Sequence, residues 1–214
     1  MVEETRELVA GCRAVVTASP GHHLPLKARE RLWRSFGKPL SRAEVRAGEL
    51  SLGHSRRGRL AIYAVRGLLS QYAAEEARAG AELVNPNDHP ARILDAAERR
   101  LNGIDAWTST ERTAYRYGNM LQYLYELWPT YPVASLILLA AGSAIGSCIA
   151  DHIWLEEETD EGPTADALTA DMYACLAFCD GSGPWDRVDN QCELDTRREA
   201  FWLRYLAKAS ELAP

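Results

Sequence analysis

The sequence has no Gly-x-Gly-x-x-Gly, no Gly-Lys-Ser or Gly-Lys-Thr loop and no Gly-x-Ser-x-Gly turn. These absences remove the common nucleotide-binding fingerprints and the elbow that presents a serine nucleophile. No His-x-x-x-His pair places two imidazoles on one helical face: His22 and His23 are adjacent, and His54, His89 and His152 stand apart. Basic charge is also in deficit, with 24 Lys and Arg against 30 Asp and Glu and a net charge of −6. A general nucleic-acid binder needs clustered cations on one face, so no nucleic-acid partner is expected. A basic or neutral protein partner suits this charge better.

The first residues, MVEETRELVAGCRAVV, lack the basic start and long apolar run of a signal peptide. The five cysteines make an odd count in a chain of 214 residues, which does not read as a disulfide framework. A cytoplasmic protein with reduced thiols is the expectation. At this length one domain, residues 1–214, can bury a substantial core.

What is present is helical pattern almost throughout. The spacing predicts helices near residues 3–17, 27–36, 41–50, 59–79, 90–102, 109–128, 133–155, 164–179 and 196–212. Capping boxes are expected at Ser41/Glu44, Thr108/Glu111 and Thr196/Glu199. Pro129 and Pro132 bracket a break that isolates the next helix. In the last helix, Phe201, Trp202, Tyr205, Leu206 and Ala209 form a broad apolar face opposite Arg197, Arg204, Lys208 and Glu211.

Residues 133–150 carry no charged side chain, a length that just suffices to span a membrane. Against a span, the stretch contains Ser, Gly and Ala in quantity and is followed by acids instead of a basic anchor. A helix apolar on all sides is also what the centre of a helical domain requires. The predicted fold is therefore all-α, a single-domain multi-helix bundle or array around a buried central apolar helix, with no membrane partner.

Candidate chemistry is sparse. Asp151 and His152 could hold a metal in a helical metal-dependent hydrolase, but no second His-Asp element accompanies them. Cys175 and Cys179 share a helix face and could join Cys192 and a histidine at a zinc ion, yet buried core thiols are the better reading. No catalytic residue, metal or cofactor is assigned. Arg56, Arg57, Gly58 and Arg59 read as a solvated helix start. The acidic run Glu156, Glu157, Glu158, Asp160 and Glu161 is more suggestive: its mutual repulsion would be relieved by solvent, as in a solvated loop, or by a basic partner, and these residues are the candidate contact surface.

Three stretches together resemble one family, the immunity proteins of family five of bacterial polymorphic toxin systems. They are HHLPLKARERLWRSFG at residues 22–37, the small-residue helix ending GSCIADHIW, and residues 171–209, where an aromatic helix and a Gly-rich turn with Trp185 lead to Arg197-Arg198 and Phe201-Trp202. The resemblance implies a mostly helical cytoplasmic antidote that binds a cognate toxin domain and blocks it without catalysis. The motif residues His23, Pro25, Trp185, Phe201 and Trp202 are expected to fill the core and not to touch the partner.

Overall fold

The computed structural model describes residues 2–106, 108–110, 126–149, 169–181 and 190–213. Among these the secondary structure is helical, without a strand, so the all-α expectation is met. Helix α1 (Val2–Ala18) opens with Glu3 and Glu4, whose carboxylates complement the partial positive charge of a helix N-terminus. A short 3-10 turn, Pro20–His22, leads to α2 (Leu26–Ser35), where Pro25 occupies the N-cap. Helix α3 (Arg42–Arg46) begins with both bonds of the predicted capping box: Ser41 Oγ accepts from the Glu44 amide, and the Glu44 carboxylate accepts from the Ser41 amide.

The next helices are α4 (Leu52–Arg66), α5 (Leu69–Ala79) and α6 (Pro90–Leu101). Here the structure departs from the pattern-based reading of one helix over 59–79 with a solvated basic start. Helix α4 starts at Leu52 because Ser51 caps it, its Oγ accepting from the His54 amide at 3.0 Å. It ends at Gly67, where an elbow with Leu68 turns the chain into α5. The basic run therefore lies inside a helix. Arg57 is no solvated starter but 1% exposed. Its guanidinium donates to the carbonyls of Trp33 at 3.0 Å and Gly37 at 2.8 Å, at and just beyond the C-terminal end of α2, where carbonyls outnumber helical amide donors.

Helices α7 (Pro132–Ile149), α8 (Ala170–Phe178) and α9 (Gln191–Leu212) complete the described elements. The predicted start of the last helix at Thr196 was misplaced. Thr196 Oγ1 donates to the Cys192 carbonyl at 2.9 Å, a back-bond within a helix already running. The Thr108/Glu111 box extends outside the described residues, as do parts of the predicted helices 109–128, 133–155 and 164–179.

Helix α7 is the hub, packed by α4, α5, α6 and α8. It is long and apolar enough to cross a membrane, and 61% of it is buried inside the protein. Leu136, Ile137, Leu138 and Ile145 sit in the common core, each burial worth roughly 1.5–3 kcal/mol. Small residues allow the close approach. At Gly58 on α4 a Cβ would lie 2.9 Å from Leu101 Cδ1 and 3.3 Å from Cys148 Sγ, so three helices meet closely there and a larger residue would push the Leu101 side chain aside. At the end of α2, Gly37 has φ +131°, outside the range other residues favour, and its backbone lies against Gly53. Helix α9 packs across α1, α4 and α8 with Phe201, Trp202, Tyr205, Leu206 and Ala209 all buried, the face that the spacing predicts.

Candidate functional site

Glu156, Glu157, Glu158, Asp160 and Glu161, the predicted contact residues, lie outside the described residues, as do Asp151, His152 and Trp185. Of the other motif residues the fold brings His23, Phe201 and Trp202 to one place, whereas Pro25, expected in the core, is exposed at the N-cap of α2, where it serves the chain's turn into the helix. His23 meets the Trp202 ring edge-on with centroids 5.8 Å apart, and Phe201 packs on Trp202 at 5.1 Å. The first and third stretches of the resemblance, distant in sequence, thus share one buried cluster.

At its centre is Arg29 of α2, fully buried. It donates to Asp171 Oδ1 at 3.1 Å and Thr169 Oγ1 at 2.7 Å, both at the start of α8. Its guanidinium also lies over the rings of Trp33 at 5.8 Å and Trp202 at 5.5 Å. Trp33 Nε1 donates to the Tyr205 hydroxyl at 2.8 Å. Burial and the neighbouring Asp171 carboxylate push the Tyr205 phenol well above its usual range, so it stays neutral. A second buried arginine, Arg198 of α9, donates to the Gly21 carbonyl and to Asp195, each at 2.7 Å. Burial, then Arg29 and Arg198, hold the His23 imidazole down at about 4.

This arrangement is suited to fixing helices, because its ion pair is shut away from solvent and the imidazole beside it is partly buried. Residue spacing missed Arg29, Arg198 and Asp171 as members of it. A signal existed: Arg198 falls three and four positions before Phe201 and Trp202, on the apolar face of its helix, and Arg29 falls three and four before Leu32 and Trp33.

The cysteines are free thiols, with Cys175, Cys179 and Cys148 buried and Cys192 exposed. Burial pushes the Cys148 thiol up to about 12 and Cys175 well above its usual value, which makes both poor nucleophiles and poor metal ligands as they stand. Among the described residues no three His, Cys, Asp or Glu side chains are grouped to hold a metal ion.

Two surface depressions are lined by described residues. One, of about 430 Å³, runs between α1 and α2 past Glu4, Glu7, Leu8, Val15 and Arg31. The other, of about 260 Å³, lies between the α4–α5 elbow and α9. Its floor is Ala64, Leu68, Phe201 and Tyr205, and its margin is Tyr63, Arg66, Gly67 and Arg204. A floor of rings with guanidinium groups at the margin is the composition that anchors protein partners.

The sequence model of the family described as "Immunity protein Imm5" matches residues 9–212. No curated protein matches the chain.

Proposed function

The chain belongs to the Imm5 immunity protein family, and we propose that it is a bacterial antidote that neutralises a cognate polymorphic toxin by binding it directly, without catalysis. The match over nearly the whole chain carries this reading. Two physical features support it. The described part of the chain is a helical scaffold whose buried charges are spent on internal contacts, as a rigid binding protein requires. The net charge of −6 favours capture of a basic toxin, since complementary charge speeds encounter more than it raises final affinity.

In this reading the acidic run Glu156, Glu157, Glu158, Asp160 and Glu161 faces the toxin, and the protein works in the cytoplasm, with neither nucleic acid nor membrane as its partner. The test is a growth assay in which the toxin domain encoded beside this gene is induced with and without this protein. Specific rescue together with a complex on gel filtration is the expected result. A toxic neighbour that the protein neither rescues nor binds would overturn the reading.

A further inference from the structure

We propose that the cleft between the α4–α5 elbow and α9 receives an acidic side chain of the toxin, an Asp or Glu carried on an apolar segment. The proposal rests on the toxin-binding reading above. It adds an anchor of opposite sign to the acidic run.

Charge selects the occupant. Three cations surround Tyr63, whose ring is 40% exposed: Arg66 and Arg204 line the cleft, and Lys208 Nζ lies 5.6 Å from the Tyr63 centroid. Arg66 already pairs with Asp95 at 3.1 Å and Glu98 at 3.0 Å, and Lys208 pairs with Glu211 at 2.7 Å. Among the described residues Arg204 pairs with no carboxylate. Its neighbours one turn away on α9 are Ala200, Phe201, Ala207 and Lys208, none of them an acid. Instead its guanidinium lies over the Phe178 ring at 4.6 Å. That contact holds the group in place through its face, leaving the in-plane N–H donors for a bidentate carboxylate. In a chain with a net charge of −6, Arg204 is thus, among the described residues, a cation beside an apolar cleft with no acid against it.

Gly67 points the same way independently. Its backbone is ordinary right-handed helix, φ −63° and ψ −11°. A Cβ there would meet nothing within 4 Å among the described residues. Gly67 is the C-cap of α4, and neither its backbone conformation nor, among the described residues, internal packing calls for glycine there. Lacking a side chain, Gly67 leaves that side of the cleft open. The volume of about 260 Å³ suits one side chain and its stem, with Ala64, Leu68 and Phe201 covering the methylenes.

The test is calorimetric titration of the full chain with the purified toxin domain encoded beside its gene, using wild type, Arg204→Glu, Arg204→Lys and Gly67→Leu. Each variant's thermal midpoint is measured alongside. Arg204→Glu is expected to weaken binding at least about 30-fold, and Gly67→Leu about tenfold by filling the opening. Arg204→Lys falls between wild type and Arg204→Glu, because lysine keeps the charge but not the fork of donors. Arg204 and Gly67 are both peripheral to the core, so midpoints near wild type are expected; should one variant unfold, the other decides. Wild-type affinity in the folded variants overturns the cleft proposal and leaves the toxin-binding reading intact. Failure of the wild-type chain itself to bind overturns both.

Discussion

Arg29 and Asp171, 142 positions apart, meet at 3.1 Å with side chains 0% and 4% exposed, and so join α2 to the first turn of α8. Desolvating two charges is costly, and contacts with Thr169, the Met172 amide and the Trp33 and Trp202 rings offset part of that cost. Removing one partner strands the other. Asp171→Ala and Arg29→Ala are each expected to lower stability by about 3–5 kcal/mol in urea unfolding. The double variant is expected to cost clearly less than the two single losses together, since no buried charge is then left alone. Simple additivity would show that the two side chains are not energetically coupled.

His23 makes stability depend on pH with a definite sign. Burial and the guanidinium groups of Arg29 and Arg198 lower its pKa from 6.5 to about 4, while Asp171 opposes them in part. Above 6.5 the imidazole is neutral in both folded and unfolded chain, and it contributes no slope. Between 6.5 and about 4 only the unfolded chain takes up the proton, so the folded state loses about 1.4 kcal/mol per pH unit. The loss levels off below about 4, at roughly 3 kcal/mol. Unfolding free energies of wild type and His23→Gln, measured from pH 7.5 to about 4, should diverge over this window. Parallel curves would refute the assignment.

The sequence makes the helices legible and the charged interior illegible, for one physical reason. Periodicity reports which face of a helix is buried, so the face of Phe201, Trp202, Tyr205, Leu206 and Ala209 could be read directly. It does not report which remote group a residue on that face will meet. Arg57 looks like a surface charge until the carbonyls of Trp33 and Gly37 are brought to it by the packing of α4 on α2. The cleft is hidden in the same way, being assembled from residues 63–68 and 201–205 with no local motif in either. Acidic clustering, by contrast, is a property of composition and needs no fold to be seen.

Two of the three predicted capping boxes, Ser41/Glu44 and Thr196/Glu199, read alike in sequence and differ in structure, which separates them experimentally. Ser41 caps α3, so Ser41→Ala is expected to cost about 1 kcal/mol. Thr196 is exposed and lies inside α9, where its hydroxyl only back-bonds to Cys192. Thr196→Ala is expected to shift stability by no more than about 0.5 kcal/mol. Chemical denaturation of the two variants under one set of conditions checks this, and equal losses would mean that Thr196 is a true helix start.

Glu156, Glu157, Glu158, Asp160 and Glu161 carry the electrostatic part of the proposed function, and that part has a kinetic signature. Charges at the margin of an interface act mainly on the association rate, because they guide encounter and are screened once salt shortens their reach. Replacing Glu156, Glu157 and Glu158 by Lys should slow association with a basic toxin about tenfold at low salt. At high salt the difference should shrink, and the variant's rate should depend less on ionic strength than that of wild type. Stopped-flow mixing across a salt series measures both. The dissociation rate should change little, in contrast to Arg204→Glu, whose loss would fall on dissociation if the cleft holds a desolvated carboxylate. Unchanged association at low salt would remove the acidic run from the interface and leave the cleft as its remaining candidate.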